Sequence, residues 1–237
     1  MDVETIESAV SHLGLNVLGG FHGDEASEPS EASEASEPAT IVLIGNAGPA
    51  MWAAFTSATT AQARATDADP LDDWTRRGLS AVAEDLRARA LFPFDGPPYH
   101  PFQQWALRTG AAFVSPTGPL IHPTFGLWHA YRGALAFEER LDLPPPPAGG
   151  SPCLACAEKP CLEACPADAF SPGESREGRA DYDVAACVAH VGSPDGRECF
   201  KGGCLARHAC PVGQQYAYEG RQANFHMVRF LKAQGAV

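Results

Sequence analysis

Eight cysteines carry the chemistry of this 237-residue chain, and all of them stand between Cys153 and Cys210. They fall in two runs. The first is Cys153-Leu-Ala-Cys156-Ala-Glu-Lys-Pro-Cys161-Leu-Glu-Ala-Cys165, followed by Pro166; the second is Cys187, Cys199, Cys204 and Cys210, followed by Pro211. A [4Fe-4S] site needs four thiolates converging on a cube of iron and sulfide. Closely spaced cysteines supply several ligands from one turn of chain, and a more distant Cys-Pro closes the site, the proline directing the backbone away. Two groups of four thiols, each ending in Cys-Pro, therefore predict two [4Fe-4S] clusters and one-electron chemistry. Zinc and disulfides are the plainer alternatives. Zinc sites usually pair two Cys-x-x-Cys knuckles, and one such pair is present here, Cys153 with Cys156. His190 and His208 lie in the same region, but eight cysteines leave no need for a histidine ligand.

In ferredoxins with two clusters the last cysteine of each run serves the other cluster. Applied here, Cys153, Cys156, Cys161 and Cys210 hold one cluster, and Cys165, Cys187, Cys199 and Cys204 hold the other. Both runs are looser than usual. Four residues separate Cys156 from Cys161, and eleven, four and five separate the cysteines of the second run. These insertions are expected to bulge as loops, and they leave the second site less sharply defined than the first.

The elements that must position these thiols follow from pattern. Residues 1–22 read as a short helix, with Ile6, Val10 and Leu13 at helical spacing, and then a strand ending in glycines. Residues 23–39 are an acidic Ser/Glu/Ala/Pro tract without a large apolar residue, expected to be a disordered linker. Residues 40–143 form an expected α+β domain. It has a buried strand at Ile41–Ile44, a helix over 50–64, and a helix from Pro70 to about Ala90 with Asp69 as cap. A Pro-rich loop over 92–101, a short helix near Phe102–Thr109 and an alternating strand at Leu127–Phe137 complete it. Residues 144–152 are a Pro/Gly linker, 153–213 the cluster-binding domain with little hydrophobic core of its own, and 214–237 a C-terminal helix that packs back.

The net charge is −12, six units of it from Asp24, Glu25, Glu28, Glu31, Glu34 and Glu37 in the linker. Phosphate contacts need Lys and Arg, so a nucleic-acid partner is not expected, whereas an acidic surface suits a basic electron-donor protein. There is neither an apolar run long enough for a membrane span nor an apolar leader after the acidic Met1-Asp-Val-Glu start. The expectation is a cytoplasmic protein, in a compartment where clustered cysteines bind metal more often than they pair.

Three stretches ahead of the cysteines resemble CblC-type cobalamin-processing proteins, which remove the upper ligand of vitamin B12. They are Thr40-Ile-Val-Leu-Ile-Gly-Asn-Ala-Gly-Pro49-Ala-Met51-Trp, Asp69-Pro-Leu-Asp72, and Leu120-Ile-His122-Pro-Thr-Phe-Gly-Leu-Trp128-His-Ala-Tyr-Arg132-Gly133. They occur in the family's order and cover about residues 40–140. The order of a B12 domain before a two-cluster domain also resembles epoxyqueuosine reductases, whose cysteine order is similar and supports the exchange of ligands between the runs. The tRNA-binding helical repeats of those enzymes have no counterpart here, and Phe102-Gln-Gln-Trp105 stands where they carry a catalytic aspartate. The resemblance therefore implies their architecture and not their reaction.

What it implies is a nitroreductase-like α+β domain holding a corrinoid, followed by a small ferredoxin-type domain that feeds it electrons. His122, Trp128 and Arg132 are then the candidates for the corrinoid side. Each has a plainer reading: a core histidine bonded to backbone, a core aromatic together with Phe125 and Tyr131, and a buried structural ion pair. Gly45-Asn46-Ala-Gly48 reads either as a cradle for a polar ligand group or as an ordinary strand–helix turn. Two other functions compete with reductive cobalamin processing. One is a plain electron carrier with a docking domain; the other is a flavin-dependent reductase on the same type of fold.

Overall fold

The computed structural model describes residues 1–23, 38–173 and 178–236, so the acidic linker lies almost wholly outside the described residues. The chain divides into two compact units, Met1–Ala111 with Ala130–Pro147, and Ala112–His129 with Ala148–Val237. One crossing falls in the expected Pro/Gly linker. The segment 112–129, which sequence assigns to the first domain, belongs instead with the cysteines.

The first unit begins with α1 (Val3–Ser11), β1 (Asn16–His22) and β2 (Thr40–Ala47). Asp2 caps α1 by accepting from the Thr5 amide at 2.9 Å, and Ile6 and Val10 turn its apolar face inward. β1 and β2 are antiparallel, with a bulge between Val17 and Gly20. Gly19 occupies the bulge at φ +120°, where a Cβ would also strike the Thr109 side chain. All eight residues of β2 are buried, as befits an inner strand of a sheet ordered β1, β2, β6 (His129–Phe137), β3 (Arg89–Leu91). Gly45 and Asn46 lie within this strand, so the glycine-rich stretch is its end and not a ligand cradle.

The expected helix over 50–64 is two, α2 (Ala50–Ala58) and α3 (Ala61–Thr66). Thr60 separates them because its hydroxyl caps α3, accepting from the Ala63 amide at 3.1 Å. α4 (Pro70–Asp85) starts on Pro70, but Asp69 makes no side-chain cap, and the helix stops five residues early. Its end is a Schellman motif: Arg87, at φ +53°, donates to Glu84 O at 3.1 Å, and Ala88 donates to Ala83 O at 2.8 Å. An arginine in place of the usual glycine hides this stop from sequence. The chain then enters β3 (Arg89–Leu91), which pairs with β6 (His129–Phe137). α5 (Phe102–Arg108) follows the Pro-rich loop. In β6 the expected alternation fails from Gly133 to Phe137, which are all buried, because this inner strand is covered on both faces.

The second unit opens with the hairpin β4 (Phe113–Val114) and β5 (Leu120–Ile121). Beyond β6 come α6 (Pro152–Ala155), α7 (Pro160–Glu163) and the hairpin of β7 (Phe170–Ser171) with β8 (Asp181–Tyr182). These are followed by α8 (Val184–Val191), α9 (Arg197–Gly202), α10 (Leu205–His208) and α11 (Gly220–Ala233). α11 packs on α9. Three small cores among the described residues hold this unit, and each draws on residues outside 153–213. Val191, Cys199 and Leu231 form one, Trp128, Tyr218 and Ala223 another, and Ile121, Leu127 and Cys210 the third. Two of the three are built partly from cysteine.

Candidate functional site

The second unit sorts its thiols into two groups. Cys153, Cys156, Cys161 and Cys210 line one small cavity together with Ile121, Lys159, Pro211 and Val212. Burial pushes the Cys153 thiol up to about 11, and Cys210, Cys161 and Cys156 push it further in the same direction. Burial likewise raises Cys161 and Cys210, each with help from Cys156. In the other group burial raises Cys199 and Cys204, and Cys165 and Cys187 add to both shifts. Backbone amides pull the other way, Leu162 on Cys161, Val212 on Cys210, Leu205 on Cys199, and Ala206 and Arg207 on Cys204. Such N–H groups favour the thiolate, so each site offers crowded sulfurs and donors ready to stabilise negative charge on them. The donor set fits an iron–sulfur cluster, which takes four thiolates around a body several atoms wide. Among the described residues no three His, Cys, Asp or Glu side chains are gathered around a single-ion site. All eight cysteines are free thiols.

A loop from the resembling segment is built onto the first group. Ile121 and Leu127 pack against Cys210, with Phe113, Cys153 and Val212 around them. Between Ile121 and Leu127 the chain folds back on itself, His122 and Gly126 exchanging backbone bonds of 3.0 and 2.9 Å. Two glycines seal the fold-back to the segment after Cys210. A Cβ on Gly126 (φ +58°) would stand 1.9 Å from Val212 O, and one on Gly213 (φ +73°) 2.4 Å from Phe125 O. Sequence reasoning passed over both glycines, for neither belongs to a recognisable turn signature.

His122 is 6 % exposed. Its Nδ1 accepts from the Thr124 amide at 3.0 Å and the Phe125 amide at 3.3 Å. The neutral ring must therefore carry its proton on Nε2, and desolvation lowers its pKa to about 4. His129, with its ring centroid 5.9 Å away, is in the opposite tautomer: Nδ1 donates to Gly126 O at 3.1 Å. Its pKa is also about 4, lowered first by burial, then by His122 and Arg207. His122 as set here is a hydrogen-bond donor at Nε2 and has no free lone pair there for a metal.

Trp128 is 2 % exposed. Its ring meets His208 and Tyr218 edge-on at 4.7 and 5.4 Å, with the Arg207 guanidinium 4.5 Å from its centroid. Arg207 also donates from Nε to Leu127 O at 2.8 Å, which fixes the loop. Trp128 is thus walled in by its own unit and presents no open face for a planar ligand. Arg207, between two cysteines of the second run, was invisible as a site residue because its partners come from 80 residues earlier. Arg132 lies apart, in the first unit. Its Nε donates to Asn46 Oδ1 at 3.1 Å, and Nη1 stands 3.8 Å from Asp72. The buried structural pairing is the geometry observed, and it joins one residue from each of the three resembling stretches.

No family model matches this chain, and no curated protein matches it. Among solved structures it resembles the B12-trafficking protein CblC of C. elegans, a human MMACHC homologue, with TM-score 0.50 and 16 % identity over 96 % of this chain and 95 % of that one. The molecule is accordingly a mixed α+β protein of CblC-like fold. The likeness runs through the cysteine-rich half as well as residues 40–140, and it sets off no separate ferredoxin-type domain. No helix among the described residues is long and apolar enough to cross a membrane.

Proposed function

We propose that this chain is an iron–sulfur electron-transfer protein whose two [4Fe-4S] clusters deliver electrons to a cobalamin. Cys153, Cys156, Cys161 and Cys210 hold the first cluster, and Cys165, Cys187, Cys199 and Cys204 the second. The observation that carries the reading is the gathering of buried and half-buried thiols into these two groups of four, the first built into the base of the His122 loop. When bound, the clusters supply one-electron reduction and oxidation without proton transfer. The cobalamin limb rests on the CblC-like fold, on the B12 named for that relative, and on the resembling segment.

The chain's own groups divide the remaining work. The amides aimed at Cys161, Cys199, Cys204 and Cys210 steady negative charge on sulfur. Ile121 and Leu127 keep water from the first group. His122 donates from Nε2 to a polar group of the corrinoid, while Trp128 stiffens the loop from behind and Arg132 holds the first unit's sheet end to α4. With cyanocobalamin as substrate, one electron converts Co(III) to Co(II), and cyanide leaves with both electrons of the cobalt–carbon bond.

Anaerobic reconstitution tests both limbs. About eight iron and eight sulfide per chain are expected. The reconstituted protein, reduced and freed of excess reductant, converts cyanocobalamin to the Co(II) form by absorbance, and the iron-free chain does not. Zinc in place of iron sinks the first limb. Full clusters with no cobalamin spectral change leave a plain carrier, and yellow maxima in the purified protein point to flavin.

A further inference from the structure

α10 is a single helical turn, Leu205–His208, and it joins the surroundings of the two thiol groups. A turn this short does not hold itself, because fixing the first turn of a helix costs more than its hydrogen bonds contribute. Its anchors stand at its two ends. Leu205 packs on the core of Val191, Cys199 and Leu231, which Cys187 also touches. Beyond the other end, Cys210 packs with Ile121 and Leu127, and Cys153 lies against them. Cys204 is the N-cap, its carbonyl accepting from the His208 amide at 3.1 Å. Within the turn itself only Ala206 is buried. Arg207 projects from this turn onto the loop that carries His122 and Trp128. Its Nε donates to Leu127 O at 2.8 Å, and a terminal nitrogen donates to the same oxygen. The guanidinium also stands 4.5 Å from the ring centroids of both Trp128 and Tyr218. A planar fork held by one carbonyl and two rings depends on where its helix stands. The loop passes that placement on, since the Trp128 amide donates to Phe125 O at 3.0 Å and the His122 and Gly126 backbones bond each other.

We propose that α10 couples both clusters to the His122–Trp128 loop, with Arg207 as the positioning residue, so that the loop is fixed only when a cluster holds each end of the turn. The inference rests on the two-cluster reading above, in which Cys204 serves one cluster and Cys210 the other. Bound clusters supply the rigidity that a four-residue helix lacks. When one is missing, that end of α10 is released, and Arg207 no longer stands where it can hold Leu127 O and the two rings. The loop then loosens even though the remaining cluster is intact. Its consequence for the proposed function is that His122 is set in place only in a chain able to deliver electrons from both clusters. No covalent bond, proton or electron moves in this step; it is a coupling of two ordering equilibria through one shared element.

The test is hydrogen exchange by mass spectrometry on the full, anaerobically reconstituted chain, comparing the native protein with Cys165→Ala/Cys187→Ala. That variant removes ligands of the second cluster and leaves the first, against which the loop packs. It is expected to keep about half the iron and sulfide. Exchange in the peptide spanning 121–128 is expected to quicken at least about tenfold, the size of effect that follows when a hydrogen bond from a charged donor is lost, while β2 exchanges as in the native chain. Arg207→Met keeps much of the side chain's length; it is expected to hold both clusters and to loosen the same peptide. Arg207→Lys, which retains the charge and a donor, should fall between Arg207→Met and the native chain. If Arg207→Met holds iron poorly, the double cysteine variant decides the matter. An unchanged loop in the double variant, or in iron-replete Arg207→Met, overturns the coupling and leaves the two-cluster reading standing. Loss of all iron from the double variant also overturns it, because Cys204 and Cys210 would then serve the same cluster. A native chain that takes up no iron overturns both.

Discussion

Arg132 and Thr40 of the first unit are each held by side-chain bonds within that unit, whereas three buried polar atoms of the second unit meet no hydrogen-bond partner among the described residues. Arg132 meets Asn46 and Asp72, and the Thr40 hydroxyl both donates to Glu139 O at 2.9 Å and accepts from the Leu141 amide at 3.0 Å. In the second unit the thiols crowd their own kind. Trp128 Nε1 and both amide atoms of the fully buried Gln222 lack a hydrogen-bond partner among the described residues. Buried polar groups are nearly always satisfied, so these atoms are the exceptions in the second unit.

The largest effect tests how the thiols are shared. Cys165 closes the first run in sequence but lies with Cys187 in the structure. If both serve one cluster, the double variant Cys165→Ala/Cys187→Ala loses that cluster and keeps about half the iron and sulfide. If each run served its own cluster, the same variant would lose both. Iron and sulfide analysis after anaerobic reconstitution reads the difference directly.

The two runs and their Cys-Pro endings were legible because ligand spacing is a local property; the exchange of ligands between the runs is what the double variant tests. Two strands of the sheet were legible, Ile41–Ile44 as a continuous apolar run and Leu127–Phe137 as an alternating one, although the alternation fails from Gly133 on. The helix stop at Arg87 was not, since a left-handed cap at an arginine leaves no compositional trace. Nor was the placement of residues 112–129 with the cysteines. That attachment depends on Gly126 and Gly213 meeting backbone far away in sequence, a steric match that spacing does not encode. Trp128 and Arg132 were singled out as candidates for the corrinoid side, but residue type alone could not tell a ligand wall from a core ring or a bound guanidinium from a paired one.

The next effect concerns acid. His122 and His129 have pKa values near 4 when folded, against an ordinary value of 6.5. The unfolded chain therefore binds more protons between those values. The stability of neutral burial is complete above pH 6.5 and is lost as pH falls toward 4, at about 1.4 kcal/mol per histidine for each pH unit. Protonated His122 can no longer accept from the Thr124 and Phe125 amides, so the protection of those two amides, relative to their intrinsic exchange rate at each pH, is expected to fall as pH drops from 6.5 toward 4. His122→Asn keeps an acceptor that does not titrate and should flatten part of this dependence. Protection that is independent of pH in the native chain would show that the loop is not held as described.

The smallest effect probes the other side of the comparison. Asp72 is about one-third exposed and stands 3.8 Å from Arg132, too far for a tight bond. Its carboxyl is raised above the ordinary range, burial outweighing the attraction of Arg132. A carboxyl raised by folding works against stability once pH exceeds its unfolded value, so the charge on Asp72 is not what secures Arg132; the Asn46 bond is. Asp72→Asn should change stability by no more than about 1 kcal/mol in either direction, by denaturant titration at neutral pH. Asn46→Leu leaves the Arg132 guanidinium without its short partner and should cost about 1–3 kcal/mol. If Asp72→Asn proves the more damaging of the two, the ion pair is the anchor, and Arg132 regains its claim to a role that depends on charge.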